Sequence, residues 1–310
     1  MPHHHHHHHG HGHHHHVDPE AGDARVAAAV GVNLALTVAQ VIGGILSGSL
    51  ALIADALHNL SDAMALVIAF AARKIARRPA DADMTFGYAR AEVVAALINY
   101  TTLIVLGLVL AYEAVMRFFA PEPVAGWTVV IVAGVALAVD LVTAALTYTM
   151  SKDSVNIRAA FLHNVADAAG SVAVIVAGTL VIFFDWWLVD PLVTLAIAGY
   201  MLWMSFAEIG GVIRILMLGS PGDVDSDAVL ATVRATDGVA DVHHAHLWLM
   251  DERGASLDLH VVVAEGAWDR ADRIKAAVRR RLREVHGIGH GMIELECARH
   301  ACTGARLWGH

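Results

Sequence analysis

The sequence predicts an α-helical membrane protein with six transmembrane helices followed by a small cytoplasmic α+β domain. Three observations support this fold class. The 310 residues are 56% hydrophobic and 16% charged, whereas soluble domains are about 45–50% apolar and about 25% charged. Six apolar stretches each reach the roughly 20 residues that cross a bilayer core. After the turn-like sequence Ser220-Pro221-Gly222 the composition becomes that of a soluble domain.

The first 24 residues carry a histidine tract. Of the 22 histidines in the chain, 12 lie within the first 16 residues, and Asp18, Glu20 and Asp23 follow them. Such a segment cannot build an apolar core, so residues 1–24 are predicted to be a disordered cytoplasmic tail that binds transition metals loosely. Two origins stay open. Irregular glycines and the missing protease-site linker favour a native metal-gathering tail over a purification tag.

Residues 25–219 contain the six apolar stretches. Their predicted bounds are 26–46, 50–72, 93–119, 127–150, 159–184 and 188–218. Basic residues crowd the second-to-third and fourth-to-fifth connections but are absent from the first-to-second and fifth-to-sixth; they are Arg73, Lys74, Arg77, Arg78, Arg90, Lys152 and Arg158. The positive-inside rule therefore puts both termini in the cytoplasm, and we expect the protein in the cell (inner) membrane.

Residues 220–298 are predicted to form an α+β domain with the order αββαβ, as in ferredoxin-like folds. Helical spacing covers 225–236 and 268–285, and β-like patterns cover 242–250, 255–264 and 291–296. A domain of this size is only marginally stable alone, so we expect it to associate with a second copy of the chain or with metal. Residues 299–310 follow as a C-terminal tail.

Charge and cysteine content exclude two further classes of protein. The formal net charge is -9 and no basic tract of the nucleic-acid-binding type occurs, so nucleic acid is not an expected partner. The two cysteines, Cys297 and Cys302, are too few for a disulfide framework and fit a reducing cytoplasm.

One six-residue pattern occurs twice, as HNLSDA at 58–63 and as HNVADA at 163–168. In each copy the histidine and the aspartate are four residues apart, so on a helix they share one face. Ionisable residues are costly inside a membrane. A single such residue is commonly a packing group hydrogen-bonded to a neighbour, but packing does not require the same residues at the same spacing twice. The repeat therefore predicts a tetrahedral site for a zinc-like cation, formed by His58, Asp62, His163 and Asp167.

The charges of this shell suggest what the site does. Two carboxylates, two neutral imidazoles and one divalent ion sum to zero, which is the least costly state in a low-dielectric environment. Without metal, protons have to neutralise the carboxylates or charge the imidazoles. If the site opens alternately to the two sides of the membrane, this competition becomes an exchange of a divalent cation for protons. Because the second and fifth spans run in opposite directions, the two pairs are predicted to meet at a crossing of antiparallel helices.

Four stretches resemble the zinc-efflux branch of the cation diffusion facilitator family. They are SLALIADALHNLSD at 49–62, FGYARAE at 86–92, LHNVADAAGS at 162–171 and VHHAHLW at 242–248. The resemblance implies six helices, cytoplasmic termini, a homodimer and proton-coupled export of a divalent metal. It assigns transport to the same four residues as the repeat, and it implies Zn²⁺, with Cd²⁺ or Co²⁺ as alternatives. Imidazole ligands also favour such ions over Mg²⁺ or Mn²⁺.

The resemblance also implies a regulatory metal site in the cytoplasmic domain. His243 and His260 fall on positions like family ligands, and Glu296 falls on a position that is usually a carboxylate. Further candidates are His246, His290 and Glu294. The remaining histidines of this domain, His244, His286 and His300, are interpreted as solvated surface residues.

Some positions depart from the family pattern or stay open. An extra zinc site in the second-to-third loop of some members uses histidines where this chain has Met84 and Tyr88, leaving only Asp81 and Asp83 as ligands. We therefore expect that loop site to be absent. Two membrane carboxylates outside the repeat, Asp55 and Asp140, are either hydrogen-bonded buried groups or members of a proton pathway or outer metal shell.

Two other functions remain as alternatives. An intramembrane zinc hydrolase is disfavoured because the chain has no HExxH, no GxSxG and no glycine-rich phosphate loop. A metal sensor or scaffold that no longer transports would not need the membrane carboxylates.

Overall fold

The computed structural model describes residues 19–148, 155–251, 254–302 and 304–309. The histidine tract predicted to be a disordered tail lies outside these residues. Six long helices come first in the chain, and a small α+β domain follows them. The fold class is therefore confirmed.

The six helices agree closely with the predicted spans. They are α1 (Pro19–Ser47), α2 (Leu50–Ala76), α3 (Ala91–Phe119), α4 (Gly126–Tyr148), α5 (Val155–Phe184) and α6 (Val189–Leu216). Within the described residues, α2 to α6 each contain a stretch long and apolar enough to cross a membrane, and α1 contributes the shorter apolar part Leu34–Ser47. The helices run beyond several predicted spans because the polar residues at span ends, such as Arg73 and Lys74 in the last turn of α2, remain helical.

Helix α2 lies between two packed groups of helices. On one side, Ala51 and Leu52 pack with Val129 of α4 and with Val174 and Val181 of α5. On the other side, Ala54 packs with residues of α3 and α6, namely Leu103, Leu110, Ala198 and Met201. The start of α2 thus contacts the later part of α5, as expected for the predicted antiparallel crossing.

The two halves of α2 are packed very differently. Almost all of its buried residues lie between Leu50 and Ala63, and Ala72 is the exception in the second half. In that half Leu66 is 63% exposed and Phe70 is 76% exposed. If the termini are cytoplasmic, as the basic loops predict, the tightly packed half is the outer one and the loosely packed half faces the cytoplasm.

The C-terminal domain has the predicted order αββαβ. Its elements are α7 (Ser226–Arg234), β1 (Val239–Leu249), β2 (Ala255–Val263), a 3₁₀ turn at Trp268–Arg270, α8 (Ala271–His286) and β3 (Ile293–Cys297). Strand β2 is central, antiparallel to β1 and parallel to β3. Alternate residues of β2, including Leu257 and Val261, point into a core completed by Val278 and Leu282 of α8. The opposite face of the sheet is therefore left for polar residues.

The segment predicted to be a C-terminal tail, residues 299–310, joins the sheet at the free edge of β1. The backbone N–H of His244 donates to Arg306 at 3.0 Å and that of Ala245 donates to Leu307 at 2.9 Å. Trp308 forms a parallel bridge with Ala245. The tail thus covers an edge that would otherwise expose unpaired backbone groups.

The end of β1 docks on the helical part of the molecule. Arg90, at the start of α3, donates from Nε to the carbonyl of Met250 at 3.0 Å and from a terminal guanidinium nitrogen to that of Leu249 at 3.1 Å. The Leu249 side chain packs against Val93 and Ile215, at the neighbouring ends of α3 and α6. Strand β1 is therefore tied directly to the α3–α6 pair.

Replacing Leu257 with alanine tests whether the β2 face is the core of this domain. Because this side chain is fully buried, we expect Leu257→Ala to reduce the opening free energy of the β2 amides by about 2–5 kcal/mol. The measurement is hydrogen exchange of the full-length protein in detergent. The matched control is Leu66→Ala at an exposed position of α2. Equal protection of β2 in both variants would contradict the packing described here.

Candidate metal centres

Three of the four residues selected by the repeat come together between α2 and α5. His58 and Asp62 lie one turn apart on α2, and Asp167 reaches them from α5. His58 Nε2 is 3.6 Å from Asp62 Oδ2 and 3.5 Å from Asp167 Oδ1. His58 is 8% exposed and Asp167 is also 8% exposed, deep among apolar helices. We call these residues, with His163, the membrane site.

The spacing of these atoms suits a metal ion. Ligand atoms about 2.0–2.2 Å from a tetrahedral zinc ion lie about 3.4 Å from one another. The two distances at His58 Nε2 have this length, and the ligand atoms of His58, Asp62 and Asp167 all lie within 4.8 Å of one another. One imidazole and two carboxylates therefore lie at distances that three ligands of such a shell would have.

The fourth predicted residue, His163, lies on α5 one turn before Asp167. Its side chain falls outside the described residues. Its helical position is the one that the predicted shell requires, because residues four apart share a face.

A hydrogen-bonded polar group lies beside the membrane site. Gln40 of α1 donates to Asp55 at 2.7 Å and accepts from Asn59 at 3.3 Å. Asp140 of α4 accepts from the Ser171 hydroxyl of α5 at 3.2 Å. Both carboxylates outside the repeat are thus hydrogen-bonded to polar groups on neighbouring helices. These bonds agree with the first interpretation of Asp55 and Asp140 and leave the proton-pathway role as a prediction.

A second group of metal-binding side chains lies on the polar face of the cytoplasmic sheet. The rings of His243, His244 and His260 are 4.9–5.2 Å apart, centre to centre. Ligand atoms of these three residues and of Cys302 lie within 4.8 Å of one another. Glu296 also faces the group, 3.3 Å from His243 Nε2. We call these five residues the cytoplasmic site.

His244 belongs to this site because the strand is irregular at that residue. His244 lies against the rings of His243 and His260, so the interpretation as a solvated surface histidine is corrected. In a regular strand its side chain would point to the face opposite that of His243. The pairing of β1 with β2 shifts between His243 and His246, and His244 has a left-handed φ of 48°. This bulge brings the two adjacent rings together. The candidate ligand His244 thus has a backbone conformation that is rare for residues other than glycine.

Glu296 is held as a carboxylate. Burial raises the pKa of Glu296, but hydrogen bonds outweigh this effect. They come from the Cys302 backbone N–H at 3.1 Å and from His260 Nδ1 at 2.6 Å. The nearby His243 lowers the pKa further. The pKa is lowered to about 2. Glu296 therefore carries a negative charge at any physiological pH.

The other cytoplasmic candidates are placed differently. Glu294 lies 3.3 Å from His260 Nε2, on the exposed side of the cytoplasmic site. His246 pairs with Asp258 in the sheet, and His290 is exposed beside Ser256. Among the described residues, neither histidine belongs to a group that could hold a metal ion.

Two of the three histidines interpreted as surface residues contact neighbours away from the site. His286 contacts the Thr232 hydroxyl at 2.7 Å, and His300 contacts the Cys297 thiol at 3.3 Å.

Sequence reasoning missed Cys302 as a candidate ligand. The residue lies in the tail, six residues after Glu296, and it reaches the site only because the tail turns back to pair with β1. The available signal was a cysteine soon after a candidate carboxylate ligand.

In the second-to-third loop, Asp81 organises its own turn. It accepts from the Tyr88 hydroxyl at 2.8 Å and from the backbone N–H groups of Asp83 and Met84 at 3.0 and 2.8 Å. The Tyr88 hydrogen bond first, and then these backbone bonds, lower the pKa of Asp81. Its carboxylate therefore stabilises the conformation of this loop.

Comparison with known proteins identifies the family of both parts of the chain. Residues 26–217 match the family described as "Cation efflux transmembrane domain", and residues 221–297 match "Cation efflux protein, cytoplasmic domain". The chain belongs to the cation efflux family. The resemblance to cation diffusion facilitators is thereby confirmed, and the protein is a metal transporter rather than an enzyme, which rules out the zinc hydrolase.

Several named members of the cation efflux family are similar over most of their length. The "Cadmium, cobalt and zinc/H(+)-K(+) antiporter" of Bacillus velezensis is 35% identical over 266 residues, covering 85% of each chain. The "Zinc transporter ZitB" of Pectobacterium atrosepticum is 35% identical over 283 residues, 90% of this chain and 88% of that protein. The "Metal cation efflux system protein CzcD" of Cupriavidus metallidurans is 34% identical over 271 residues, 86% of this chain and 85% of that protein.

The hydrogen bond between Cys302 and Glu296 predicts the reactivity of this thiol in the metal-free protein. The bond first, and burial second, raise the thiol pKa, so less reactive thiolate is present at neutral pH. We expect Glu296→Gln to speed alkylation of Cys302 at pH 7, measured by mass spectrometry. The control is Glu265→Gln, at an exposed carboxylate that pairs with Arg299. Identical rates in all three proteins would show that Glu296 does not contact the thiol in solution.

Proposed function

We propose that this cation efflux protein exports Zn²⁺, with Cd²⁺ and Co²⁺ as further substrates, from the cytoplasm in exchange for protons. The observation that carries the proposal is the convergence of His58, Asp62 and Asp167 at the distances of a metal shell, inside a bundle of apolar helices. His163 is the fourth ligand in this proposal. The metal is the transported substrate, and the protein cycles between forms open to the two sides of the membrane.

The chemistry of the ligands supports zinc-like ions. Imidazole with carboxylate suits Zn²⁺ and its neighbours, whereas Mg²⁺ and Ca²⁺ prefer shells made of oxygen alone. The names of the relatives support the same ions, because they refer to zinc, cadmium and cobalt.

Charge balance supports exchange for protons. The site places two carboxylates among apolar helices, where an uncompensated charge is costly. A divalent ion neutralises both carboxylates when it is bound, and protons take over that role when it leaves. The similar Bacillus protein is named an H(+)-K(+) antiporter, which is consistent with a coupled counter-ion.

The packing of α2 supports an opening toward the cytoplasm. On the outer side of His58 the helix is closely packed, and on the inner side it is largely exposed. In this proposal, the closely packed side is closed and the loosely packed side is the one that opens to the cytoplasm. The outward-open form needs α2 and α5 to rearrange at their outer ends.

Purified protein in liposomes tests transport and coupling together. For molecules with the cytoplasmic face outward, added Zn²⁺ should enter the lumen while lumenal pH rises, because protons leave in exchange. We expect Asp62→Ala to lose at least 90% of both signals, since it removes one ligand and leaves the buried shell charged when metal binds. The control is Asp185→Asn, an exposed aspartate in the turn between α5 and α6.

Two results would contradict the proposal. Zinc uptake without any change in lumenal pH would exclude proton exchange. Equal protection of an efflux-deficient host by the intact protein and by Asp62→Ala would favour the alternative of a sensor or scaffold.

The cytoplasmic site has a separate role in this proposal, as a regulatory metal site in a homodimer. It is supported by three imidazoles, one carboxylate and one thiol on a single face of the sheet, and by the match of this domain to the family's cytoplasmic domain. Strand β1 carries His243 and His244 and ends on α3 and α6. A metal bound here would therefore act on the strand that is tied to the transmembrane helices.

Cobalt binding tests whether Cys302 is a ligand of this site. Thiolate ligands give Co²⁺ an intense charge-transfer absorption, whereas imidazole and carboxylate do not. We expect the full-length protein to show this absorption and Cys302→Ser to lose it. The matched control, Cys297→Ser, should retain it, because the Cys297 thiol contacts His300 instead. Loss of the band in the control alone would exclude Cys302 as the ligand.

A further inference from the structure

A buried carboxylate outside both metal sites lies at the outer end of the bundle. Asp190 is in the first turn of α6 and is 1% exposed, and Ser49, just before α2, is 0% exposed. An aspartate in an apolar environment requires hydrogen-bond donors. The membrane and cytoplasmic sites make no use of this carboxylate, so its partners indicate what it does.

Among the described residues, the hydrogen-bond donors to its side chain belong to the beginning of α2. The Ser49 hydroxyl donates to one carboxylate oxygen. The backbone N–H of Leu50 donates to the other oxygen at 2.8 Å, and that of Ala51 is 3.4 Å from both. The first N–H groups of a helix have no partners within the helix and carry a partial positive charge. Asp190 therefore caps α2 from a different helix, 140 residues away along the chain.

The same short turn is held from two more directions. Arg117 of α3 donates to the carbonyl of Gly48, and the backbone N–H of Ala125 donates to that of Ser47 at 2.8 Å. The Ser49 hydroxyl also accepts from the backbone N–H of Leu52 at 3.1 Å. These hydrogen bonds thus fix the position of the beginning of α2 along the helix axis and its rotation about that axis.

This fixed end lies close to the metal ligands of the membrane site. Counted from Leu50, His58 is eight residues along α2, or about 12 Å at 1.5 Å per residue. Asp190 also follows the last residue of α5, Phe184, after a short turn. One carboxylate therefore connects the outer ends of the two helices that carry the membrane site.

We propose that Asp190 is a positioning residue for transport. By capping α2 from α6, it sets the height and rotation of α2, and so the place of His58 and Asp62 relative to Asp167. This inference rests on the proposed function of the membrane site. This role of Asp190 differs from that of an ordinary capping residue, which stabilises one helix. An ordinary cap would leave the metal affinity of the folded protein unchanged.

The test uses Asp190→Asn in the full-length protein, reconstituted in liposomes. Asparagine has the same size, but its NH₂ group faces donors where a carboxylate oxygen stood. We expect the KM for Zn²⁺ to rise about tenfold or more, because small misplacements of binding groups have large effects. Asp185→Asn removes the same charge from the neighbouring turn and should leave KM unchanged. Since Asp185 has a φ of 48°, asparagine fits that backbone well.

Three additional variants distinguish the possible outcomes. Ser49→Ala removes one donor and should raise the KM for Zn²⁺ less than Asp190→Asn does. If the two residues act as one unit, the double variant should have the same KM as Asp190→Asn alone. Asp62→Ala reports on the proposed site itself. If Asp62→Ala abolishes transport while folded Asp190→Asn and Ser49→Ala keep the original KM, the positioning role is wrong. If Asp62→Ala transports normally, the membrane site itself is wrong.

Discussion

The structure depends on the cost of placing charge among apolar helices. Asp62 and Asp167 lie close to His58, and each distance fits a shared ion better than a direct hydrogen bond, which is typically 2.7–3.2 Å. Such a group is stable only when something positive lies at its centre or on its members. In the proposed function, binding and release of metal are therefore coupled to the charge state of the same side chains, which is the physical basis of the proposed exchange.

Helix α2 carries two residues of the membrane site and packs against both groups of neighbouring helices. Its first half, Leu50–Ala63, packs against α4 and α5 on one side and against α3 and α6 on the other. Polar contacts supplement the packing, from Gln40 to Asp55 and from the beginning of α2 to Asp190. Its second half has few buried residues. The same helix is thus packed most closely in the half that carries His58 and Asp62.

In the cytoplasmic domain, a strand irregularity rather than helical spacing brings the candidate ligands together. A regular strand would separate His243 from His244, but the bulge with its left-handed residue places both rings on one face. The tail then pairs with β1 and brings Cys302 to the same place. Because β1 also ends on α3 and α6, the local irregularity that forms the site lies on the strand that joins the two parts of the molecule.

Periodicity, length and a repeated pattern were sufficient to predict the helices, the αββαβ order and the pairing of His58 with Asp62, because these depend on residues near one another in sequence. The sequence also indicated which residues of α5 should meet them. It could not indicate that His244 leaves the regular alternation of its strand, that Cys302 returns to the sheet, or that Asp190 caps α2. Those contacts join segments far apart in the chain or depend on one backbone angle. Only the packed tertiary structure decides them, since each needs the rest of the fold to hold a conformation that local sequence does not favour.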